Sequence, residues 1–204
     1  MADLTSVASQ RQFWNDWNAS TRETYLDEVS TRQAGVVLGW LDELGRRDLD
    51  ILEIGCGACW LCGELTRYGR VTGADLSDEV LDRARARLPG VRLVAGDFMD
   101  LDFGTAEFDV IITLEVLSHV ADQPAFLSKI AGHLRPGGRL MLATQNRTVL
   151  QRYNLLPPPR PGQLRRWVDR RELDLLLARE FDVRRLFSVT PWAKGLIRNN
   201  RSIE

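Results

Sequence analysis

A carboxylate followed by spaced glycines, near position 55, is the feature of this chain that points most directly to chemistry. Glu53 ends a short aliphatic run, and Gly55 and Gly57 follow it at alternate positions. Glycine adopts left-handed backbone angles readily and leaves no side chain between a loop and a ligand. A carboxylate beside such a loop favours a ligand that carries positive charge. The pattern therefore predicts a binding loop for an elongated, cationic molecule.

Two other kinds of glycine-rich loop have a different spacing. A dinucleotide fingerprint needs a third glycine at position 60, where this chain has Trp60. A phosphate-binding P-loop ends in Lys and then Ser or Thr, and the stretch 50–59 contains no lysine. The spacing argues against a nicotinamide-dependent oxidoreductase and against a P-loop.

The glycine loop and four later stretches resemble the motifs of a known family. Glu53-Ile-Gly-Cys-Gly-Ala-Cys59 is similar to the first motif of the class I S-adenosylmethionine-dependent methyltransferases, with Cys59 in place of the third glycine. The later stretches that resemble motifs of this family, in its order, are 71–75, 94–98, 108–120 and 134–142. The resemblance covers roughly residues 30 to 190.

The resemblance implies that the cofactor is S-adenosylmethionine, with S-adenosylhomocysteine as the product. Asp75 lies 20 residues after Gly55, the distance at which this fold brings a strand-end carboxylate beside a ribose. Phe98 is expected to pack on the adenine. The cofactor-binding residues expected on these grounds are Glu53, Gly55, Cys56, Gly57, Asp75, Leu76, Asp97, Phe98, Leu114 and Arg32.

Two of these assignments have an alternative. Asp97 is followed closely by Asp100 and Asp102, so it could be one of several loop acids. Arg32 is expected to pair with the carboxylate of the cofactor, but a solvated surface arginine is the other interpretation.

The elements that must position these residues alternate between strand and helix patterns. Such alternation predicts an α/β fold, a three-layer, Rossmann-like, doubly wound and mainly parallel sheet with helices on both faces. A buried strand is expected over 51–54 and a helix from about Trp60. Ser77 is expected to cap the next helix. Strands are also expected over 140–144 and from Phe181 to Val189.

The last strand of the sheet is expected to be missing or truncated. Residues 192–204 offer few apolar side chains among charged and polar ones. A second copy of the chain, in a homodimer, or a tail would then have to cover the edge of the sheet. Residues 49–204 are nevertheless expected to form the cofactor-binding domain.

The segment before the sheet, residues 1–48, predicts helices that act as a cap or lid. Trp14 and Trp17 share one helix face, and a second helix is expected to stop at Gly45. The resemblance implies that this segment folds over the cofactor, so Trp14, Trp17 and Tyr25 are candidates for substrate binding. The alternative is that the tryptophans only dock the segment on the core.

His119 is the candidate catalytic base and a candidate substrate contact. It follows the fourth predicted strand, at the sheet edge where open α/β folds hold their ligands. Its ordinary pKa suits proton removal near neutral pH. In the resembling family a histidine here often organises the loop, which is the alternative role.

A basic, proline-rich insertion is expected at about 147–168. Residues 147–171 hold seven arginines and one acid, and a proline run from Pro157 to Pro161 predicts a stiff loop over the cleft. Arg147 and Arg152 are candidates for binding an acceptor that carries carboxylate or phosphate. A solvated basic surface is the alternative.

Three cysteines form the pattern C-x-x-C-x-x-C at Cys56, Cys59 and Cys62. An iron–sulfur cluster usually uses four thiolates, and the chain has only three cysteines. The residues are therefore expected to be structural, with no bound metal.

Composition narrows the class of protein. The net charge of −1 provides no basic field to attract nucleic acid or an anionic membrane, so neither partner is expected. Nothing approaches the ~18 apolar residues that span a bilayer, and the start lacks a targeting pattern, so a cytoplasmic protein is expected. The hypothesis is a methyltransferase that acts on an oxygen or nitrogen of a small molecule. A non-catalytic cofactor-binding partner and an RNA-modifying methyltransferase remain alternatives.

Overall fold

A computed structural model describes residues 6–153 and 158–189 of the chain. Helices and strands alternate after an N-terminal helical segment. In chain order the elements are α1 (Val7–Trp17), a π-helical turn (Asn18–Arg22), α2 (Glu28–Leu44), β1 (Leu49–Ile54), α3 (Trp60–Leu65), β2 (Gly69–Asp75), α4 (Asp78–Arg85), β3 (Arg92–Ala95), β4 (Phe108–Leu114), a 3-10 turn (Leu117–His119), α5 (Gln123–His133), β5 (Leu134–Ala143), α6 (Arg147–Tyr153) and α7 (Arg170–Leu177).

The five strands form one parallel sheet in the order β3-β2-β1-β4-β5. Ile51 in the central strand lies beside Val71 on one side and Val110 on the other. Because all the strands run in one direction, their carboxyl ends meet at one edge. The chain reverses its winding between β1 and β4, and a cleft for ligands is expected at such a point.

The core consists of two layers, one on each face of the sheet. Successive residues of β1 point to opposite faces, since side chains alternate along a strand. Ile51 packs in the cluster that holds Leu41 of α2 and Leu61 of α3, whereas Leu52 packs in the cluster that holds Phe126 of α5. This arrangement confirms the predicted three-layer α/β fold.

The helix boundaries follow local capping chemistry. The Asp27 carboxylate accepts a hydrogen bond from the backbone N–H of Ser30 at 2.7 Å and starts α2, which ends at Gly45 in the left-handed conformation, as predicted. Ser77 precedes α4, but its hydroxyl makes no capping bond. It accepts instead from Asn18 Nδ2 at 2.9 Å. The expected cap is thus replaced by a bond that ties the N-terminal segment to the sheet domain.

A second bond between the same two regions lies nearby. Asn15 Nδ2 of α1 donates to Asp78 Oδ1 at the start of α4, at 2.9 Å. Both asparagines are buried. The N-terminal segment is therefore fixed to the helix that follows β2.

The second half of the chain differs from the predictions. The strand expected from Phe181 to Val189 is not formed, apart from a bridge residue at Leu186. Arg185 of this stretch pairs with Glu43 of α2 at 2.9 Å, and Leu186 packs on the core, so these contacts replace strand pairing. The expectation for 192–204 lies outside the described residues. Residues 147–153 form a helix where a loop was expected to begin.

Candidate active site

A cavity of about 1320 Å³ lies at the carboxyl edge of the sheet, beneath the N-terminal segment. Typical small-molecule sites measure about 300–1,000 Å³, so this one has room for a cofactor and an acceptor together. The sheet contributes the residues after β1, β2, β3, β4 and β5. The other walls come from α1, α2 and the loop that precedes α7.

The loop after β1 presents bare backbone to the cavity. Gly55 has φ +73°, and a Cβ there would lie 2.1 Å from Cγ2 of Val116, so a side chain does not fit. Gly57 also has a positive φ, of +50°. Cys59, in place of the third glycine of the resembling motif, keeps the left-handed conformation, with φ 59°. The left-handed conformation is roughly 1–2 kcal/mol less favourable for a residue other than glycine, so Cys59 keeps the loop shape with some loss of stability.

The two acids expected at the cofactor line the same cavity. Asp75 accepts backbone N–H bonds from Gly57 and Ser77, both at 2.8 Å, and burial raises its pKa. Burial also raises the pKa of Glu53 to about 8, and the nearby charge of Asp75 contributes to that rise. The carboxyl groups are therefore close to each other at the ends of neighbouring strands.

The two residues expected on the adenine side, Asp97 and Phe98, both line the cavity. Asp97 lines the cavity and accepts a hydrogen bond from the backbone N–H of Met99 at 2.9 Å. The ring of Phe98 packs edge-on against Phe126, with centroids 5.3 Å apart, and stacks near Phe103. Phe98 lines the cavity as well, so its expected contact with the adenine stays a prediction. Cys56, Leu76 and Leu114 all line the cavity.

His119 lines the cavity with its ring held in place. Its Nδ1 lies 2.6 Å from the carbonyl oxygen of Leu164, which can only accept, so Nδ1 carries the proton and Nε2 is basic. Burial lowers the pKa of the imidazole, and the charge of Arg165 lowers it further. The ring of Trp14 meets it edge-on at 4.7 Å. The histidine therefore combines a fixed orientation with an unprotonated nitrogen near neutral pH.

Aromatic side chains form part of the cavity wall. Trp14, Trp17 and Trp167 all line it. The guanidinium of Arg165 lies 5.4 Å from the Trp167 ring centroid, and that of Arg22 lies 5.1 Å from Trp17. Two tryptophans expected to bind substrate are thus at the cavity, and each arginine places a positive charge against an aromatic wall.

Tyr25 and Arg32, in contrast, do not line the cavity. Tyr25 is 63% exposed, and Arg32 bonds to Glu28 one turn earlier on α2, at 2.7 Å. Arg22 lines the cavity in its place and donates to Asp27 at 2.9 Å. Of these two arginines, Arg22 is therefore the one at the cavity.

The two arginines expected to bind the acceptor lie elsewhere too. Arg147 donates to Glu172 at 2.8 Å and pairs with Asp169, both at the start of α7. Arg152 is exposed on α6. Neither lines the cavity, whereas Arg165 of the same basic insertion does. The backbone N–H of Arg166 donates to the carbonyl of Ser118 at 2.7 Å, which holds this loop beside His119.

Three polar residues at the cavity were missed by the sequence predictions. Glu115, after β4, has φ 64° and accepts a hydrogen bond from Gln33 Nε2 at 2.5 Å, and burial raises its pKa. After β5, Thr144 Oγ1 and Gln145 Oε1 are buried without a partner among the described residues. Glu115 directly follows the buried strand β4, and that position is the signal that could have identified it.

These features define α/β proteins that bind a nucleoside-bearing ligand across a glycine loop, and comparisons with known proteins agree. Residues 52–142 match the family described as "Methyltransferase domain". The ubiquinone biosynthesis O-methyltransferase of Coxiella burnetii is 30% identical over 171 residues, which cover 68% of this chain and 73% of that protein. The enzyme of that name from Chelativorans sp. is 41% identical over 110 residues, and the chain spans only 42% of its length.

Solved structures show the same fold. The 1,6-didemethyltoxoflavin-N1-methyltransferase of Burkholderia thailandensis, with its substrate and S-adenosylhomocysteine bound, aligns with a TM-score of 0.65 at 25% identity. The match covers 86% of this chain and 79% of that one. The N-methyltransferase NodS of Bradyrhizobium japonicum, bound to S-adenosylhomocysteine, gives 0.64 at 20% identity and covers 81% and 82% of the two chains.

The chain belongs to the class I S-adenosylmethionine-dependent methyltransferases. The site fits that cofactor, because a bare loop, a strand-end carboxylate at Asp75 and a large cavity occur together. No helix in the described ranges 6–153 and 158–189 is long and apolar enough to cross a bilayer.

Proposed function

We propose that this chain transfers the methyl group of S-adenosylmethionine to a hydroxyl oxygen of a small aromatic acceptor that carries an anionic group. The observation that carries the proposal is that Asp75, the glycine loop and His119 line one cavity. The names of the O-methyltransferase relatives support oxygen as the acceptor atom. An acceptor nitrogen is the second candidate, because a similar structure is described as an N1-methyltransferase.

Some residues of the site bind the cofactor, and His119 deprotonates the acceptor. When bound, the cofactor supplies an electrophilic methyl group and leaves as a neutral thioether. Asp75 has acceptor oxygens that would hold the two ribose hydroxyls, and the Gly55–Gly57 backbone would lie against the nucleoside. Nε2 of His119 takes the hydroxyl proton as the acceptor oxygen attacks. Alignment of acceptor and methyl group provides most of the rate enhancement.

Arg165 is the reason for inferring that the acceptor carries an anionic group. It lies in the cavity beside His119 and over the face of Trp167. A planar acid stacked on Trp167 would place its carboxylate within reach of the guanidinium, whose paired N–H groups match a carboxylate. The tryptophan walls favour an aromatic ring over an aliphatic chain.

The test of cofactor binding uses Asp75→Ala and Gly55→Val. Each substitution should weaken S-adenosylhomocysteine binding by at least about tenfold in isothermal titration calorimetry, through lost ribose hydrogen bonds or a blocked loop. Circular dichroism establishes that each variant is folded. Unchanged affinity in both folded variants would contradict the site.

The test of the acceptor uses phenols with and without a carboxylate, assayed by mass spectrometry for methyl incorporation. Arg165→Met should raise KM for the carboxylated phenols by about tenfold or more and change KM for neutral phenols little. Arg152→Met, an exposed arginine outside the cavity, is the matched control. Tight S-adenosylhomocysteine binding without turnover of any acceptor would favour a non-catalytic partner instead.

A further inference from the structure

The three cysteines form a compact, buried cluster behind the glycine loop. Cys56, Cys59 and Cys62 are each at most 3% exposed, and their sulfur atoms all lie within 4.8 Å of one another. The sulfurs of Cys56 and Cys59 are 3.6 Å apart. All three cysteines are free thiols. Their spacing along the chain thus becomes a three-donor arrangement in space.

A fourth donor lies beside them on the adjacent strand. The Cys62 thiol donates to Oε2 of Glu53 at 3.0 Å, and the Glu53 side chain is buried. Glu53 is on β1, outside the cysteine pattern, so the sequence spacing does not reveal it. Three sulfurs and one carboxylate oxygen are a complete ligand set for a tetrahedral zinc ion.

The distances suit such an ion. Zinc–sulfur bonds of about 2.3 Å place two tetrahedral sulfurs about 3.8 Å apart, close to the observed 3.6 Å between Cys56 and Cys59. Strand β2 packs closely against the cluster at Gly73, where a Cβ would lie only 3.0 Å from the sulfurs of Cys56 and Cys62, so a side chain there would crowd them. The three sulfurs therefore lie near zinc-ligand spacing, and the Glu53 carboxyl group, which contacts only Cys62 of the three, would complete the set by moving toward the other two sulfurs.

Nearby positive charge favours the metal-bound state. Three thiolates and a carboxylate around a divalent ion leave a net charge of −2. The guanidinium groups of Arg85 and Arg87 lie close enough to act electrostatically on Cys59. Arg87 also donates to the carbonyl of Ala58 at 3.1 Å, which holds it at this loop.

We propose that Cys56, Cys59, Cys62 and Glu53 bind one zinc ion directly behind the cofactor loop. Each thiol releases its proton to solvent as its bond to zinc forms, and so does the carboxyl group if it is protonated. No oxidant is required. The closed set of four protein ligands leaves no position for water, so the ion is structural. It would fix the loop that carries Gly55 and Gly57, independently of the acceptor used.

The test measures metal binding without cofactor or acceptor. Metal-free protein is titrated with zinc in competition with a chromophoric chelator, and cobalt-substituted protein is examined for thiolate-to-cobalt charge-transfer absorption. We expect about one ion per chain. Cys62→Ser should weaken binding by about a hundredfold or more, and Glu53→Gln by about tenfold. Asp97→Asn, a carboxylate of the same cavity that does not contact the thiols, should bind zinc like the unaltered chain.

The outcomes are distinct. Absence of stoichiometric zinc together with absence of cobalt charge transfer in the unaltered chain would overturn the proposal, even if Cys62→Ser fails to fold. A peptide mass showing a Cys56–Cys59 disulfide in protein purified without reductant would also overturn it, in favour of thiol redox chemistry. Because neither measurement uses the methyl donor, the result stands apart from that of the methyl-transfer assays.

Discussion

Replacing Gly55 with alanine should damage the cofactor loop by an amount that a single neighbouring side chain controls. The backbone at Gly55 has φ +73°, and an added Cβ would lie 2.1 Å from Cγ2 of Val116. The left-handed conformation costs a non-glycine residue about 1–2 kcal/mol. Relieving the overlap costs about 1–3 kcal/mol more, as for other overpacked sites. We therefore expect Gly55→Ala to lower the free energy of unfolding by about 2–5 kcal/mol.

A double-mutant cycle separates these two contributions. Val116→Ala removes the methyl group that the new Cβ would meet, so the double variant should retain only the conformational cost of about 1–2 kcal/mol at position 55. The double variant should thus be about 1–3 kcal/mol more stable than the sum of the single effects predicts. Urea denaturation of the four proteins, followed by circular dichroism, provides the free energies.

Gly39 provides the matched control. It is exposed on α2, and a Cβ there would meet nothing within 4 Å. Gly39→Ala should stabilise the chain by about 0.5–1 kcal/mol, through helix propensity alone. If the effects of Gly55→Ala and Val116→Ala simply add, the clash is not the cause and the account of the loop is wrong.

Two further predictions concern the base and the start of α7. Burial lowers the pKa of His119, so its neutral form persists below the ordinary value of about 6.5, and the acid limb of kcat should lie below that pH. His119→Gln should lower kcat about a hundredfold and abolish that limb in stopped-time assays across pH; a limb that survives would exclude the imidazole as its source. Asp169→Ala removes the capping box and the partner of Arg147, and should cost about 1–2 kcal/mol in urea denaturation. The Asp182 carboxylate pairs with Arg184 at the exposed surface, so Asp182→Ala should change the free energy of unfolding by less than about 0.5 kcal/mol. Equal losses of stability in Asp169→Ala and Asp182→Ala would refute the capping argument.

The sequence was most informative where a local pattern determines the structure. The aliphatic run at 51–54 predicted the central strand, and Gly45 predicted the end of α2. The spacing of Gly55 and Asp75 placed both at one sheet edge, because parallel strands of similar length end together. Such features depend on residues near one another in the chain.

The errors arose where tertiary packing decides. Arg32 on α2 pairs with Glu28 of the same helix, whereas Arg22, in the π-helical turn before α2, lines the cavity. Arg147 was assigned to the acceptor, yet the start of α7 supplies two acids that engage it. The packing of Phe98 against Phe126 could not be predicted from local sequence, since the two residues are distant in the chain.

The hydrogen bond from the Asn18 amide to the Ser77 hydroxyl bears on how fast the product leaves the site. A Cβ on Gly57 would lie 3.1 Å from Oδ1 of Asn18, so the N-terminal segment lies against the glycine loop. Outward movement of this segment would open a path for the spent nucleoside. We expect the departure of S-adenosylhomocysteine to be gated by two buried asparagines rather than by the affinity of the glycine loop.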